Sequence, residues 1–200
     1  MFNPKPFKVE DYQEQIAFIK AHPFVTLITS KGDVPYASQI PITISEVDDT
    51  LILTGHLANA NPQLKTLDQN ADVLVLFTGP HAYVSSSWYK EEEVSTWNYQ
   101  SAQLRGDCTL MSEDELMNEL KQLTNKYEEG RVNARTFDTL SDTVLKQAKG
   151  ITGFKIKVND LQVKFKMSQN RSDADYQNIV EHLKKDGAYD TAEVMKNIRQ

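Results

Sequence analysis

Residues able to do chemistry concentrate in three stretches. Gly79 to Tyr99, reading GPHAYVSSSWYKEEEVSTWNY, holds both tryptophans, three of the eight tyrosines, one of the four histidines and a run of three serines. Aromatic faces beside hydroxyls and an amide suit a flat, polar, partly buried ligand. On a strand, Tyr83, Ser85 and Ser87 share one face. After the acidic break Lys90 to Glu93, a second strand alternates Val94, Thr96 and Asn98 against Ser95, Trp97 and Tyr99. An amphipathic hairpin with no ligand uses the same pattern, because aromatics favour strands in any case. The second stretch, Gly55 to Gln63 (GHLANANPQ), supplies Gly55, His56, Asn59, Asn61 and Pro62. Asn61 followed by Pro62 reads as a helix start, whose free N–H groups suit an anion, and Lys65 in the first turn adds charge. An ordinary capped strand-to-helix loop reads the same way. The third stretch is Lys166-Met167-Ser168-Gln169-Asn170-Arg171, a polar strand exit able to donate to a phosphate or to the edge of a heterocycle, or simply to water.

Other chemistries find less support. His22, His56 and His81 each stand beside a proline or glycine turn, and no pair shows metal-ligand spacing. Ser85, Ser86, Ser87 and Cys108 are available as nucleophiles, but none sits on a glycine-rich elbow between strand and helix. The acids Glu91-Glu92-Glu93 read as a solvated turn.

Elements must place these groups. Asp11 with Glu14 resembles a capping box, opening a helix through Tyr12, Ile16 and Ile19 that ends near His22, before Pro23. Phe24 to Ser30 and Pro35 to Ser45 read as strands around the turn Lys31-Gly32-Asp33, the second interrupted or placed at an edge by Pro41. Thr50 to Gly55 is a third strand, and the helix begun at Asn61 is expected to run to about Gln69 with Leu64 and Leu67 facing inward. Val73 to Thr78 is apolar enough for a central strand, followed by a hairpin from Ala82 to Thr109. Ser112 and Glu115 form a second capping box, for a helix with Leu116, Leu120, Leu123 and Tyr127 on one stripe and a stop at Gly130. Thr136 to Gly150 has helical spacing. Ile151 to Met167 reads as two strands joined at Asn159-Asp160, and the tail as helices at Asp175 to Lys185 and Thr191 to Arg199. Strands before and after one long interior helix favour an α+β fold, mainly antiparallel β, a closed or split barrel with peripheral helices, over an alternating βαβ sheet. The expected division is a barrel domain over 1–171, with a helical insertion at about 112–150, and a helical tail over 172–200.

The chain of 200 residues fits one sizeable domain, with 40% hydrophobic and 25% charged residues. The net charge of −6 argues against direct DNA binding by the chain alone. No apolar run approaches the ~20 residues needed to cross a bilayer. Prolines and acids stand where a signal peptide needs an apolar stretch, and a single cysteine suits a reduced, cytoplasmic setting.

Taken together, HPFVTLIT from His22, GHLANANPQ from Gly55, FTGPHAYVSSSWY from Phe77, VSTWNY from Val94, ITGFKIKV from Ile151 and KFKMSQNR from Lys164 resemble the PaiB-type FMN-binding transcriptional regulators, a branch of the pyridoxamine-phosphate-oxidase-like split barrels. The resemblance runs over roughly residues 2 to 171. It implies an FMN-binding split barrel that forms a homodimer, with the flavin near the subunit interface, acting as a negative transcriptional or metabolic regulator. The alternatives are a flavin-dependent oxidoreductase of a small substrate and a haem-binding split barrel. Carried over by position, the cofactor-binding candidates are Gly55, His56, Asn61 and Pro62 in the loop, Tyr83, Ser85 and Trp97 on the hairpin, and Lys166, Ser168, Gln169 and Asn170 at the strand exit; Asn59 and Lys65 join them from the loop's own residues. The family usually has arginine where Asn59 stands, histidine at Gln39 and Gln103, and proline at Ser86 and Ser95. Asparagine cannot supply the missing positive charge.

Overall fold

A computed structural model of the chain describes residues 1–67 and 71–199. The elements run β1 (Lys8–Val9), α1 (Tyr12–Ala21), β2 (Phe24–Lys31), β3 (Val34–Pro41), β4 (Thr43–Val47), β5 (Thr50–Ala58), β6 (Ala71–Val84), β7 (Thr96–Leu110), α2 (Glu113–Glu128), α3 (Asp142–Leu145), β8 (Ile151–Lys166), α4 (Asp173–Lys185) and α5 (Tyr189–Ile198). The fold is α+β and mainly antiparallel, with strand order β3-β2-β6-β7-β8-β5-β4 and β1 paired to β8. Two compact units divide the chain.

The first unit comprises Met1–His22, Phe77–Gln103 and Leu161–Gln200. Its strands are β1, the C-terminal half of β6, the N-terminal half of β7 and the end of β8, and its helices are α1, α4 and α5. Asp11 caps α1 by accepting the Glu14 N–H at 2.7 Å, and the helix buries Ile16, Phe18 and Ile19. Tyr12 stays exposed.

The second unit comprises Pro23–Leu76 and Leu104–Asp160. Here β2 and β3 pair from Phe24↔Pro41 to Lys31↔Val34, β4 pairs β5, and β5 pairs β8 from Ile52↔Lys157 to Ala58↔Ile151. The stretch expected as one strand over Pro35 to Ser45 is two. Ile42 lies between them; its N–H still reaches the Pro23 carbonyl opposite it at 2.9 Å, but Pro23 has no N–H to return the bond, and the ladder closes there.

Two further expectations are corrected. β8 is one continuous strand, with no turn at Asn159-Asp160; the Asn159 amide instead donates to Asp107 at 2.9 Å from the exposed side of the strand. Thr136 to Gly150 is not one helix. It breaks into a 3-10 turn at Phe137–Thr139, the four-residue α3, and a second 3-10 turn at Lys146–Gly150, with Leu140 and Ser141 extended between them. The run Ser141-Asp142-Thr143 is poor at propagating a helix, since such side chains compete for backbone groups.

Close approach of backbones fixes one glycine in the second unit. A Cβ on Gly106 would press into the Lys157 carbonyl and come within 2.8 Å of Ile156 Cγ2. Gly106→Ala should therefore destabilise the protein by about 1–3 kcal/mol in a urea titration. The α2 capping box forms as expected. The Ser112 N–H reaches Glu115 at 2.8 Å, the Glu115 N–H returns to Ser112 at 3.3 Å, and Lys155 donates to the other Glu115 oxygen at 2.5 Å. The Lys155 hydrogen bond, then those from Ser112, hold the Glu115 carboxyl down at about 2, against an ordinary 4.5. A carboxyl depressed in the folded state contributes stability above its unfolded pKa and loses it as pH falls through the folded one. The stability gap between the protein and Glu115→Gln should be full at neutral pH and shrink between about 4.5 and about 2 in pH-resolved denaturation.

Candidate functional site

The candidate residues fall into two sets, one in each unit. In the first unit, β6 changes phase on its way to the site. Val73, Val75, Phe77 and Gly79 are buried, then Ala82 and Val84, so the inward period slips by one residue across Pro80. The slip turns His81 and Tyr83 outward. Trp97 on β7 meets both, its ring 6.1 Å from Tyr83 in an edge-on arrangement and 6.3 Å from His81. Tyr83 is 47% exposed and Trp97 54%, so this is an open aromatic face and not a core cluster. Ser85 does not continue the strand. It caps the 3-10 turn Ser86–Trp88, its hydroxyl accepting the Ser87 N–H at 3.3 Å and meeting the Ser87 hydroxyl at 2.9 Å. The shared strand face of Tyr83, Ser85 and Ser87 therefore ends at Tyr83.

Trp88 and Tyr89 are buried. Trp88 stacks on His182 at 5.0 Å and its carbonyl accepts from Asn178, while Arg171 lies 4.8 Å over the Tyr89 ring. The Glu91–Glu93 turn is more than solvated surface: Glu93 takes both Arg171 nitrogens, at 2.5 and 3.3 Å, which pulls its carboxyl below the usual range. Acidic runs carry no mark in the sequence that tells a paired member from its solvated neighbours.

At the strand exit the four candidates behave differently. Lys166 donates to the Thr96 hydroxyl, and burial lowers its pKa from the ordinary lysine value, with the Tyr99 phenol opposing and Lys164 and Arg171 adding to the shift. Asn170 is exposed. Ser168, at φ 58°, turns its hydroxyl inward to Asn98 at 3.0 Å, and the Asn98 amide continues to the Met195 sulfur. Gln169 is spent on the backbone, accepting from the Met167 N–H at 2.7 Å and donating to Phe165 at 2.5 Å. Sequence reasoning missed Thr96, Asn98 and Lys164. The last is only 6% exposed, its ammonium 5.2 Å over the Tyr99 ring and 3.2 Å from the Phe2 carbonyl. The alternation of Thr96 and Asn98 with Trp97 was the available signal.

In the second unit, Gly55 is buried, and a Cβ there would lie 2.9 Å from the Phe154 ring. Burial pushes the His56 imidazole below its ordinary range, against Glu119, so at neutral pH it offers a hydrogen bond without charge. Asn59 is engaged on both ends of its amide, donating to the Lys149 carbonyl and accepting from the Thr152 hydroxyl, at 2.8 and 2.7 Å. Asn61 caps as expected, accepting the Gln63 N–H at 2.9 Å while donating to Ser38. The helix it opens is a correction. Pro62–Thr66 is a single 3-10 turn, closed at Leu67, which leaves helical geometry at ψ 51°; the expected end near Gln69 lies outside the described residues. One such turn lacks the stacked peptide dipoles that make a long helix start attractive to anions. Gln63 is 1% exposed and anchors the turn, donating to Leu27 and Thr29. Pro62 and Lys65 are exposed.

Residues 1–160 match the family described as "Putative FMN-binding domain". The chain is also 43% identical over 201 residues to the protease synthase and sporulation protein PAI 2 of Bacillus subtilis, covering 98% of this chain and 97% of that one. The chain belongs to this family. FMN is the family's cofactor, and the PaiB-type resemblance holds along nearly the whole length. Among solved structures, the FAD and haem binding protein of Mycobacterium smegmatis aligns with a TM-score of 0.60 at 20% identity, over 85% of this chain and 78% of that one. The flavocytochrome Anf3 of Azotobacter vinelandii aligns with a TM-score of 0.62 at 17% identity, over 85% and 74%. These likenesses concern the fold, a split barrel with peripheral helices.

Cys108 is fully buried, and burial pushes its thiol up to about 12, which removes it as a nucleophile. In the native protein at pH 8 it should resist a thiol-specific chromogenic reagent at least about a hundredfold more than in the unfolded chain.

Proposed function

We propose that the chain is a homodimeric FMN-binding regulatory protein of the cytoplasm, with the flavin ring against the Tyr83–Trp97 face. The carrying observation is that half-exposed, edge-on aromatic pair, set beside a serine cap and a strand exit bearing a lysine. The donor set fits the group. Aromatic walls receive a planar heterocycle, and the Ser85 hydroxyl, the Lys166 ammonium and the Asn170 amide suit its polar edge. Ser168 and Gln169, whose polar atoms turn inward, shape the exit that presents Lys166 and Asn170. In the second unit, Gly55, His56, Asn61 and Pro62 are candidates through the family resemblance alone, and Asn59 and Lys65 through their place in the same loop. With both asparagine amides engaged and His56 uncharged, Lys65 is the cation that this stretch offers.

When bound, FMN supplies a reversible redox centre. The regulatory reading draws on the likeness to the sporulation protein PAI 2 of Bacillus subtilis. At a net charge of −6, regulation would reach DNA through a partner and not by direct operator contact.

Purified protein titrated with FMN should quench tryptophan emission saturably and elute as a dimer by light scattering. Trp97→Ala and Lys166→Gln should each weaken FMN about tenfold, the loss of one stacking wall or one charge-assisted hydrogen bond. A colourless preparation indifferent to added FMN would sink the reading.

A further inference from the structure

The first unit contains a cavity of about 500 Å³ that the flavin reading does not use. His22 at the end of α1, Gly79 to His81 on β6, and Gly187 to Thr191 at the start of α5 line it. Three features of the lining converge on one chemistry.

First, α5 spans ten residues and starts without a side-chain cap. Its N-cap is Ala188, so the N–H groups of Tyr189, Asp190 and Thr191 have no acceptor inside the helix. The Gly187 turn, at φ +81°, sets this start. Second, Thr191 is only 2% exposed and lines the cavity, yet no described residue hydrogen-bonds its hydroxyl. The hydroxyl's open side is the cavity, so it is available to whatever enters there. Third, both histidines are oriented by their own backbone. His22 Nδ1 meets the Phe18 carbonyl at 2.8 Å and His81 Nδ1 meets the Gly79 carbonyl at 3.1 Å. A carbonyl can only accept, so Nδ1 carries the proton in each and Nε2 is the nitrogen left for a ligand. The Phe18 ring holds the His22 ring at 4.6 Å. The opposing charge in the lining is Asp190, which is exposed and screened by water.

We infer that this cavity binds the oxyanion of a small carboxylate or phosphate compound, received by the free N–H groups of α5 and the Thr191 hydroxyl, with His22 and His81 on the facing wall. The site borders the proposed flavin face, since His81 meets Trp97 at 6.3 Å, but needs no flavin.

The test is amide-resolved NMR of the full chain titrated with orthophosphate and, separately, with acetate. Saturable shifts confined to the amides of Tyr189, Asp190 and Thr191 and to the two imidazoles support the site, and whichever probe binds more tightly names the class. Thr191→Val should weaken the effective probe at least fivefold and leave FMN affinity unchanged, while Thr191→Ser should bind as the parent does. Absence of saturable shifts at these groups overturns the inference, as does parent-like binding by Thr191→Val. If saturating FMN abolishes the orthophosphate shifts, the cavity is the flavin phosphate's own seat and a separate site is refuted. Because the FMN and anion titrations are read independently, failure of one leaves the other standing.

Discussion

Phe18 lies so close to Gly79 that only a hydrogen fits between the ring and the β6 backbone. A Cβ at that position would sit 2.7 Å from Phe18 Cε2 and 3.0 Å from the Gln100 side chain. From this contact much of the first unit follows. The Phe18 ring meets Phe165 of β8 edge-on at 5.1 Å and His22 at 4.6 Å, so one side chain ties α1 to two strands and sets the helix end where His22 points. Immediately beyond Gly79 the burial period of β6 slips at Pro80. A strand that kept its phase would bury His81 and Tyr83 and expose Ala82 and Val84. The aromatic face that fits a flavin therefore depends on a glycine that admits Phe18 and on a proline that cannot continue the ladder.

The polar residues near that face divide by what already holds them. Ser168, Gln169 and Asn98 are bonded inward, and releasing any of them would forfeit a buried hydrogen bond worth about 1 kcal/mol. They work as scaffold. Lys166 stands between the two roles: it is bonded to Thr96, lowered in pKa by burial, and placed at the edge of the strand exit. Asn59 shows the same logic in the second unit. Its amide is spent on the Lys149 carbonyl and the Thr152 hydroxyl, which links the end of β5 to the start of β8.

Periodicity and capping made most of the fold legible. The Ser112–Glu115 box, the Asp11 cap, the apolar run of β6 and the edge position of β3 follow from local residue types, which act through a few neighbouring bonds. Motif content located the family and its cofactor. Three readings went astray. Asn159-Asp160 has turn chemistry but lies within one continuous strand, Thr136 to Gly150 has helical spacing but is broken at Ser141, and Asn61-Pro62 starts a turn that closes at Leu67. At Asn159-Asp160 the sheet outweighed a local preference worth a few tenths to one kcal/mol, while at Ser141 one local preference defeated another.

By itself the sequence determined the family, the strand-rich class, the helix starts and the identity of the chemistry-bearing side chains, because all of these depend on residue type and short spacing. Only the tertiary structure decided which of those side chains are free. The Glu93 pairing with Arg171, the inward turn of Ser168, the buried ammonium of Lys164 and the unclaimed hydroxyl of Thr191 each depend on an element distant in the chain. Whether a polar group is spent or available is set by the partner that folding brings to it.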